Sequence, residues 1–141
     1  MECITHTMPR ALVLPAPGRG LGYPRSMTFL LNLLIFLHIV GVAVIVGTWF
    51  YTMKRPTVTV AQFWAAVLML VTGLGMVGYH EMNGGDINYA KIGLKLVILL
   101  VVLVAAFIGM RKTRRGEPVS TGLAHAVGGM ALINAAVAVF W

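Results

Sequence analysis

Four long apolar runs dominate this chain, and each of them is long enough to cross a lipid bilayer. The runs cover about residues 28–50, 60–79, 92–110 and 121–141. A helix needs about 20 apolar residues to cross about 30 Å of hydrocarbon, and a helix satisfies its own backbone hydrogen bonds there. The chain is 59% hydrophobic and 11% charged, whereas soluble domains carry about 25% charged residues. The sequence therefore predicts an all-α, polytopic membrane protein.

The connections between the four runs are short, and each contains helix-breaking residues. These breakers are Pro56, Gly84 and Gly85, and Gly116 with Pro118. Short connections make consecutive helices antiparallel neighbours. Residues 27–141 are therefore predicted to form an up-and-down four-transmembrane-helix bundle, with both of its ends on one side of the membrane.

Residues 1–26 differ in kind from the rest, because they are rich in proline and glycine and lack a long apolar run. Their longest aliphatic run is too short for the core of a signal peptide. We predict a disordered N-terminal tail, and a further hypothesis is that translation starts at Met27 and that the upstream segment is a misassigned start. The single cysteine, Cys3, lies in this tail and has no second cysteine with which to form an intramolecular disulfide.

The net charge of +7 is concentrated in two connections. The basic residues of these connections are Lys54 and Arg55 in the first, and Arg111, Lys112, Arg114 and Arg115 in the second. Both connections fall on the same side of an up-and-down bundle, and basic loops favour the cytoplasmic side. We expect a multi-pass protein of the bacterial plasma (inner) membrane with the lipid bilayer as its partner. Because the orientation of the chain in the membrane already explains these basic residues, no nucleic-acid partner is expected.

His38 and Lys95 are the candidate binding residues, since ionisable side chains inside a span are costly and usually functional. His38 lies near the middle of the first span and needs a hydrogen-bond partner or a metal. Its structural alternative is a bond to Asn134, Thr48 or a backbone carbonyl. Lys95 either extends to the headgroups, pairs with Glu81 or Asp86, or holds an anionic ligand between the helices.

Two metal-binding alternatives involve the remaining histidines. Imidazole and thioether groups suit Cu(I), and such groups gather around the second connection in Met76, His80, Glu81, Met82 and Asp86. His125, near the start of the fourth span, is expected to bond a loop carbonyl or to meet the interface. At about 1.5 Å per residue, His38 and His125 are offset by about 9 Å along the membrane normal, which makes shared ligation of one haem awkward.

Small residues recur along one stripe of the fourth span, at Ala124, Gly128, Ala131 and Ala135. Such a stripe lets a neighbouring backbone approach closely. This pattern favours a membrane-protein partner or a homo-oligomer, with the chain acting as an accessory subunit.

The order of these features resembles small four-helix membrane proteins of two related groups. The residues that carry the resemblance are His38 within FLHIVG, a tryptophan before a basic turn, and Lys95 within GLKLVILL. One group is the membrane protoporphyrinogen oxidase family, and the other is the copper resistance protein D group. As a whole, the chain looks like a small actinobacterial-type integral membrane protein.

The first resemblance implies a haem b site with His38 as axial ligand and Lys95 on a carboxylate, and the second implies copper handling. The resemblance covers about residues 28–141, and the alanine-rich fourth span departs from the oxidase pattern. We expect a small-molecule, haem or ion-handling module or an accessory subunit rather than an enzyme. The alternatives are a haem-associated membrane oxidoreductase and a copper-handling protein.

Overall fold

The structure is a computed structural model that describes residues 25–84, 86 and 88–140. These residues form four helices: α1 (Arg25–Tyr51), α2 (Val60–Met82), α3 (Tyr89–Arg114) and α4 (Thr121–Phe140). Each helix is long and apolar enough to cross a membrane. Helix α1 packs against α2 and α4, and α3 packs against the same two helices. The predicted all-α four-helix bundle is confirmed.

The helices are longer than the predicted spans at several ends. Helix α1 begins at Arg25, inside the predicted tail, and α3 runs from Tyr89 to Arg114. The prediction counted only the stretch that crosses hydrocarbon, whereas a helix can continue into the headgroup region, where polar side chains meet water. The rest of the predicted tail, residues 1–24, lies outside the described residues, as does Trp141.

Side-chain caps set where two of the helices begin. Thr59 and Gln62 form a reciprocal capping box at the start of α2, with the Gln62 side chain accepting from the Thr59 backbone N–H at 2.9 Å. The Asn88 side chain accepts from the Lys91 backbone N–H at 3.1 Å at the start of α3. These bonds satisfy N–H groups that have no partner within a first helical turn.

The half of the bundle nearest the two basic connections is tightly packed. Fully or almost fully buried side chains come from all four helices and the first connection, and they include Ile45, Val58, Gln62, Ala66, Met69, Val102 and Val127. Gln62 donates from Nε2 to the Ile45 carbonyl at 3.2 Å, which pairs a buried amide. The hydroxyls of Thr57 and Thr113 lie 3.4 Å apart, so the two basic connections lie at the same end of the bundle, as predicted.

Large apolar side chains are exposed on the outside of all four helices. Examples are Phe36, Val71, Val104 and Ile133. A helix that is apolar on its outer face as well as its inner one is typical of a membrane span. The chain is a multi-pass membrane protein.

The stripe of small residues on α4 faces the interior of this bundle. Ala124, Gly128 and Ala131 are buried, and the Trp49 side chain of α1 occupies the space that a Cβ at Gly128 would need. The close approach that the stripe permits is therefore used between α1 and α4 of the same chain. The membrane-protein partner or homo-oligomer stays a prediction.

Candidate functional site

A cavity of about 470 Å³ lies between the four helices, in the half of the bundle that contains the α2–α3 connection. This volume is within the range of about 300–1,000 Å³ that is usual for small-molecule sites. Its apolar wall includes Leu70, Leu74, Met76, Val77, Ile92, Leu96 and Leu99. Its polar groups are His38, His80, Asp86, Asn88, Lys91, Lys95 and Asn134. The cavity thus brings the two sequence-predicted site residues, His38 and Lys95, to one place.

His38 is held by α2. Its Nδ1 lies 2.9 Å from Thr72 Oγ1, and this oxygen lies 2.7 Å from the Leu68 carbonyl. Thr72 has one hydroxyl proton, and in a helix it commonly donates that proton to the carbonyl four residues earlier. The Thr72 oxygen then accepts from His38 Nδ1–H, which leaves the lone pair on Nε2. We assign this tautomer from the hydrogen-bond pattern.

Thr72 was not among the partners that the sequence suggested for His38. The structural alternative named Asn134, Thr48 or a backbone carbonyl, whereas the observed partner is a threonine on the neighbouring helix. Threonine is common in apolar helices because it can bond its own backbone. Its residue type alone therefore gave no signal of this role.

Lys91 and Lys95 line the cavity from successive turns of α3. Lys95 lies one turn deeper, and most of the side chains that line the deeper part of the cavity are apolar. Over residues 25–84, 86 and 88–140, the single ion pair joins Arg115 and Glu117. Neither Glu81 nor Asp86 therefore neutralises Lys95 in the described structure. An anionic group entering the cavity would meet two cations that lie one helical turn apart.

Asn134 supplies the polar group of α4. It is only 8% exposed, it lines the cavity, and its Oδ1 is buried without a hydrogen-bond partner. Sequence analysis placed Asn134 only as a partner for His38, and that bond is absent among the described residues. An amide side chain in an apolar span is unusual, because a polar group without a partner costs about 1–3 kcal/mol there. That rarity is the signal that could have identified Asn134 as a site residue.

Three members of the predicted copper cluster line this cavity, namely Met76, His80 and Asp86. Glu81 and Met82 do not line it, and Met82 is highly exposed. In the described part of the chain, no three His, Cys, Asp or Glu side chains are grouped closely enough to hold a metal ion. The copper prediction, which also relies on methionine thioethers, stays a prediction.

His125 belongs to the opposite half of the bundle. Its Nδ1 accepts a hydrogen bond of 3.0 Å from the Trp49 indole, a partner that sequence analysis did not name. It does not line the cavity that contains His38. Among the described histidines, His38 and His80 line the cavity, and shared ligation of one haem by His38 and His125 gains no support.

The side chains that line the cavity suit a ligand that has an apolar body and a negatively charged group at one edge. His38 Nε2 offers a lone pair, Lys91 and Lys95 offer positive charge, and the leucine-rich wall offers apolar contact. Haem b has these complementary parts, because its iron accepts an imidazole nitrogen and its propionates are anionic. The residues of the cavity therefore fit haem b, for which His38 would be one ligand of the iron and Lys91 and Lys95 would neutralise the propionates.

Comparison with known proteins finds no family model, no curated protein and no solved structure that matches this chain. The resemblance to the membrane protoporphyrinogen oxidase and copper resistance protein D groups stays a prediction.

Proposed function

We propose that this protein is a ligand-binding module of the bacterial inner membrane, which holds a small, largely apolar anion between its four helices. The observation that carries the proposal is the convergence of His38, Lys95 and Asn134, from α1, α3 and α4, on one apolar cavity. A few polar groups that converge in an apolar pocket are typical of small-molecule sites. Each of these groups is costly to keep inside a membrane helix.

Haem b is the ligand that we propose to test first. His38 would ligate the iron through Nε2, with Thr72 holding Nδ1, and Lys91 and Lys95 would meet the propionates. A histidine ligand whose other nitrogen is hydrogen-bonded keeps a fixed tautomer and orientation. Bound haem would supply redox chemistry, while the protein's own residues bind it, orient it and exclude lipid.

The cavity is lined by Asp86 and Asn88 of the α2–α3 connection, which lies at the end of the bundle opposite the basic connections. Because basic loops favour the cytoplasm, the proposed orientation places Lys54, Arg55 and residues 111–115 inside the cell. The cavity, with His80 and Asp86 near its mouth, then faces the outside of that membrane. Ligand would reach it from the outer aqueous phase or from the outer leaflet.

Titration of the detergent-purified full chain with hemin tests this function. We expect a shifted Soret band that saturates at one hemin per chain. His38→Ala should abolish the shift, because it removes the axial nitrogen, and Lys95→Gln should weaken binding by removing a counter-charge. Lys112→Gln, at the opposite end of the bundle, is the matched control and should bind hemin as wild type does. Identical spectra for wild type and His38→Ala would refute the haem proposal.

A further inference from the structure

The Asn134 amide has no partner in the described protein, although the side chain is more than nine-tenths buried. Its Oδ1 is sealed from solvent and accepts no hydrogen bond. Because the same side chain lines the cavity, the amide nitrogen is the polar atom that can reach a bound molecule. This residue costs stability, since its buried acceptor has lost water and gained no hydrogen bond in return.

A packing role does not explain the residue. Asn134 continues the buried stripe of Ala124, Gly128 and Ala131, in which small apolar residues suffice for contact between helices. Buried amides elsewhere in the bundle are paired, as Gln62 shows through its bonds to Thr59 and the Ile45 carbonyl. Asn134 thus differs from Gln62, the other buried amide of residues 25–84, 86 and 88–140, by lining a cavity without a hydrogen-bond partner.

Asn134 and Lys95 lie at matching depths on adjacent, antiparallel helices. Lys95 lies six residues after the first residue of α3, and Asn134 lies six residues before the last residue of α4. At about 1.5 Å per residue, each is about 9 Å inside its helix end. The two residues therefore present an ammonium and an amide N–H to one level of the cavity.

We propose that Asn134 is a ligand-contacting residue, which donates a hydrogen bond to the carboxylate that Lys95 neutralises. The inference rests on the proposed binding function and adds a second contact to the anionic group. A point charge attracts an anion from any direction, whereas an amide N–H must be aligned. Asn134 consequently fixes where in the cavity the carboxylate lies, and the ligand class is an apolar molecule that carries a carboxylate on one edge.

Two probes and one matched pair of variants test this assignment. The probes are hemin and protoporphyrin IX, which share their carboxylates and differ in the iron. The variants are Asn134→Leu and Asn32→Leu, where Asn32 is an exposed residue of α1 that does not line the cavity. Binding is followed by absorbance for hemin and by fluorescence for protoporphyrin IX, and thermal unfolding is measured without either probe.

We expect Asn134→Leu to lower the affinity for both probes by about 10- to 100-fold, which corresponds to the loss of a hydrogen bond to a charged group. The same variant should raise the unfolding midpoint of the empty protein, because the unpaired amide is gone. Asn32→Leu should change the affinity for neither probe. His38→Ala should lower the affinity for hemin but not for protoporphyrin IX. This result would separate the contact to the iron from the contact to the carboxylate.

Equal affinity of wild type and Asn134→Leu for both probes would overturn the assignment while leaving the binding function intact. If the wild type binds neither probe, the proposed function fails and the assignment fails with it. Should Asn134→Leu not accumulate in the membrane, Asn134→Ala replaces it. That smaller variant must show the same loss of affinity for both probes, and wild-type affinity would reject the assignment.

Discussion

Trp49 and His125 are joined by a hydrogen bond of 3.0 Å from the indole Nε1 to the imidazole Nδ1, which ties α1 to α4. The same indole lies over Gly128, one turn further along α4. The contact combines a polar link with close packing, and it depends on the absence of a side chain at position 128.

The first prediction compares two adjacent glycines of α4. Gly128→Ala should lower the unfolding midpoint of the purified protein, because its Cβ would overlap the Cβ and Cγ of Trp49, which lie close to the α1 backbone. Overpacking of this kind costs about 1–3 kcal/mol. Gly129→Ala, whose Cβ would meet nothing within 4 Å, should leave the midpoint unchanged or raise it slightly. If Gly129→Ala lowered the unfolding midpoint and Gly128→Ala did not, the observed rotation of α4 would be contradicted.

The second prediction concerns the partner of His38. Thr72→Val keeps the shape of the side chain but removes the oxygen that accepts from His38 Nδ1, so a buried N–H loses its partner. We expect a loss of about 1–3 kcal/mol in stability and weaker hemin binding by a less well-oriented imidazole. Thr72→Ser retains the oxygen and should restore hemin affinity. Nitrogen-15 chemical shifts of the His38 ring would report the tautomer directly, with the proton on Nδ1 in wild type.

The third prediction tests whether the ligand occupies the cavity. Gly73 lines the cavity, and a Cβ there would lie 3.5 Å from His38 Cε1, an ordinary contact. Gly73→Leu should therefore fold but fill part of the cavity, and hemin affinity should fall at least about tenfold. Gly78→Leu on the same helix lies where a Cβ meets nothing within 4 Å and serves as control. Equal affinities for the two variants would place the ligand elsewhere.

The fourth prediction addresses orientation. In a Cys3→Ser background, Lys54→Cys and Lys112→Cys should react with a membrane-impermeant thiol reagent only after the inner membrane is disrupted. Asp86→Cys, in the connection between α2 and α3, should react in spheroplasts. The reason is the concentration of positive charge at the first two positions. Labelling of Lys54→Cys in intact spheroplasts would reverse the proposed topology.

The fold was predictable from the sequence because its determinants are local. Span length, breaker residues and basic connections can each be recognised without knowing how the helices are rotated. His38 and Lys95 were identified for a similar reason, since an ionisable group in an apolar run is unusual wherever the run packs. Their convergence on one cavity, however, depends on the rotation of α1 relative to α3.

The parts of the site that sequence analysis missed depend on contacts between helices. Thr72 has the same residue type whether it bonds its own carbonyl alone or also receives His38. Asn134 was noticed only as a partner, because the depth of α4 relative to α3 was unknown. The small residues around Gly128 were assigned to an external partner, since a pattern that permits close approach does not specify which helix approaches.

Val58 completes the tightly packed half of the bundle, where its side chain is fully buried and fills the space beside Gly109. Ile45 and Met69 belong to the same buried cluster, which lies between His38 and the basic connections. We therefore expect a solute that reaches the imidazole from the other end of the bundle to leave by the same way. Permeation would require this buried layer to rearrange.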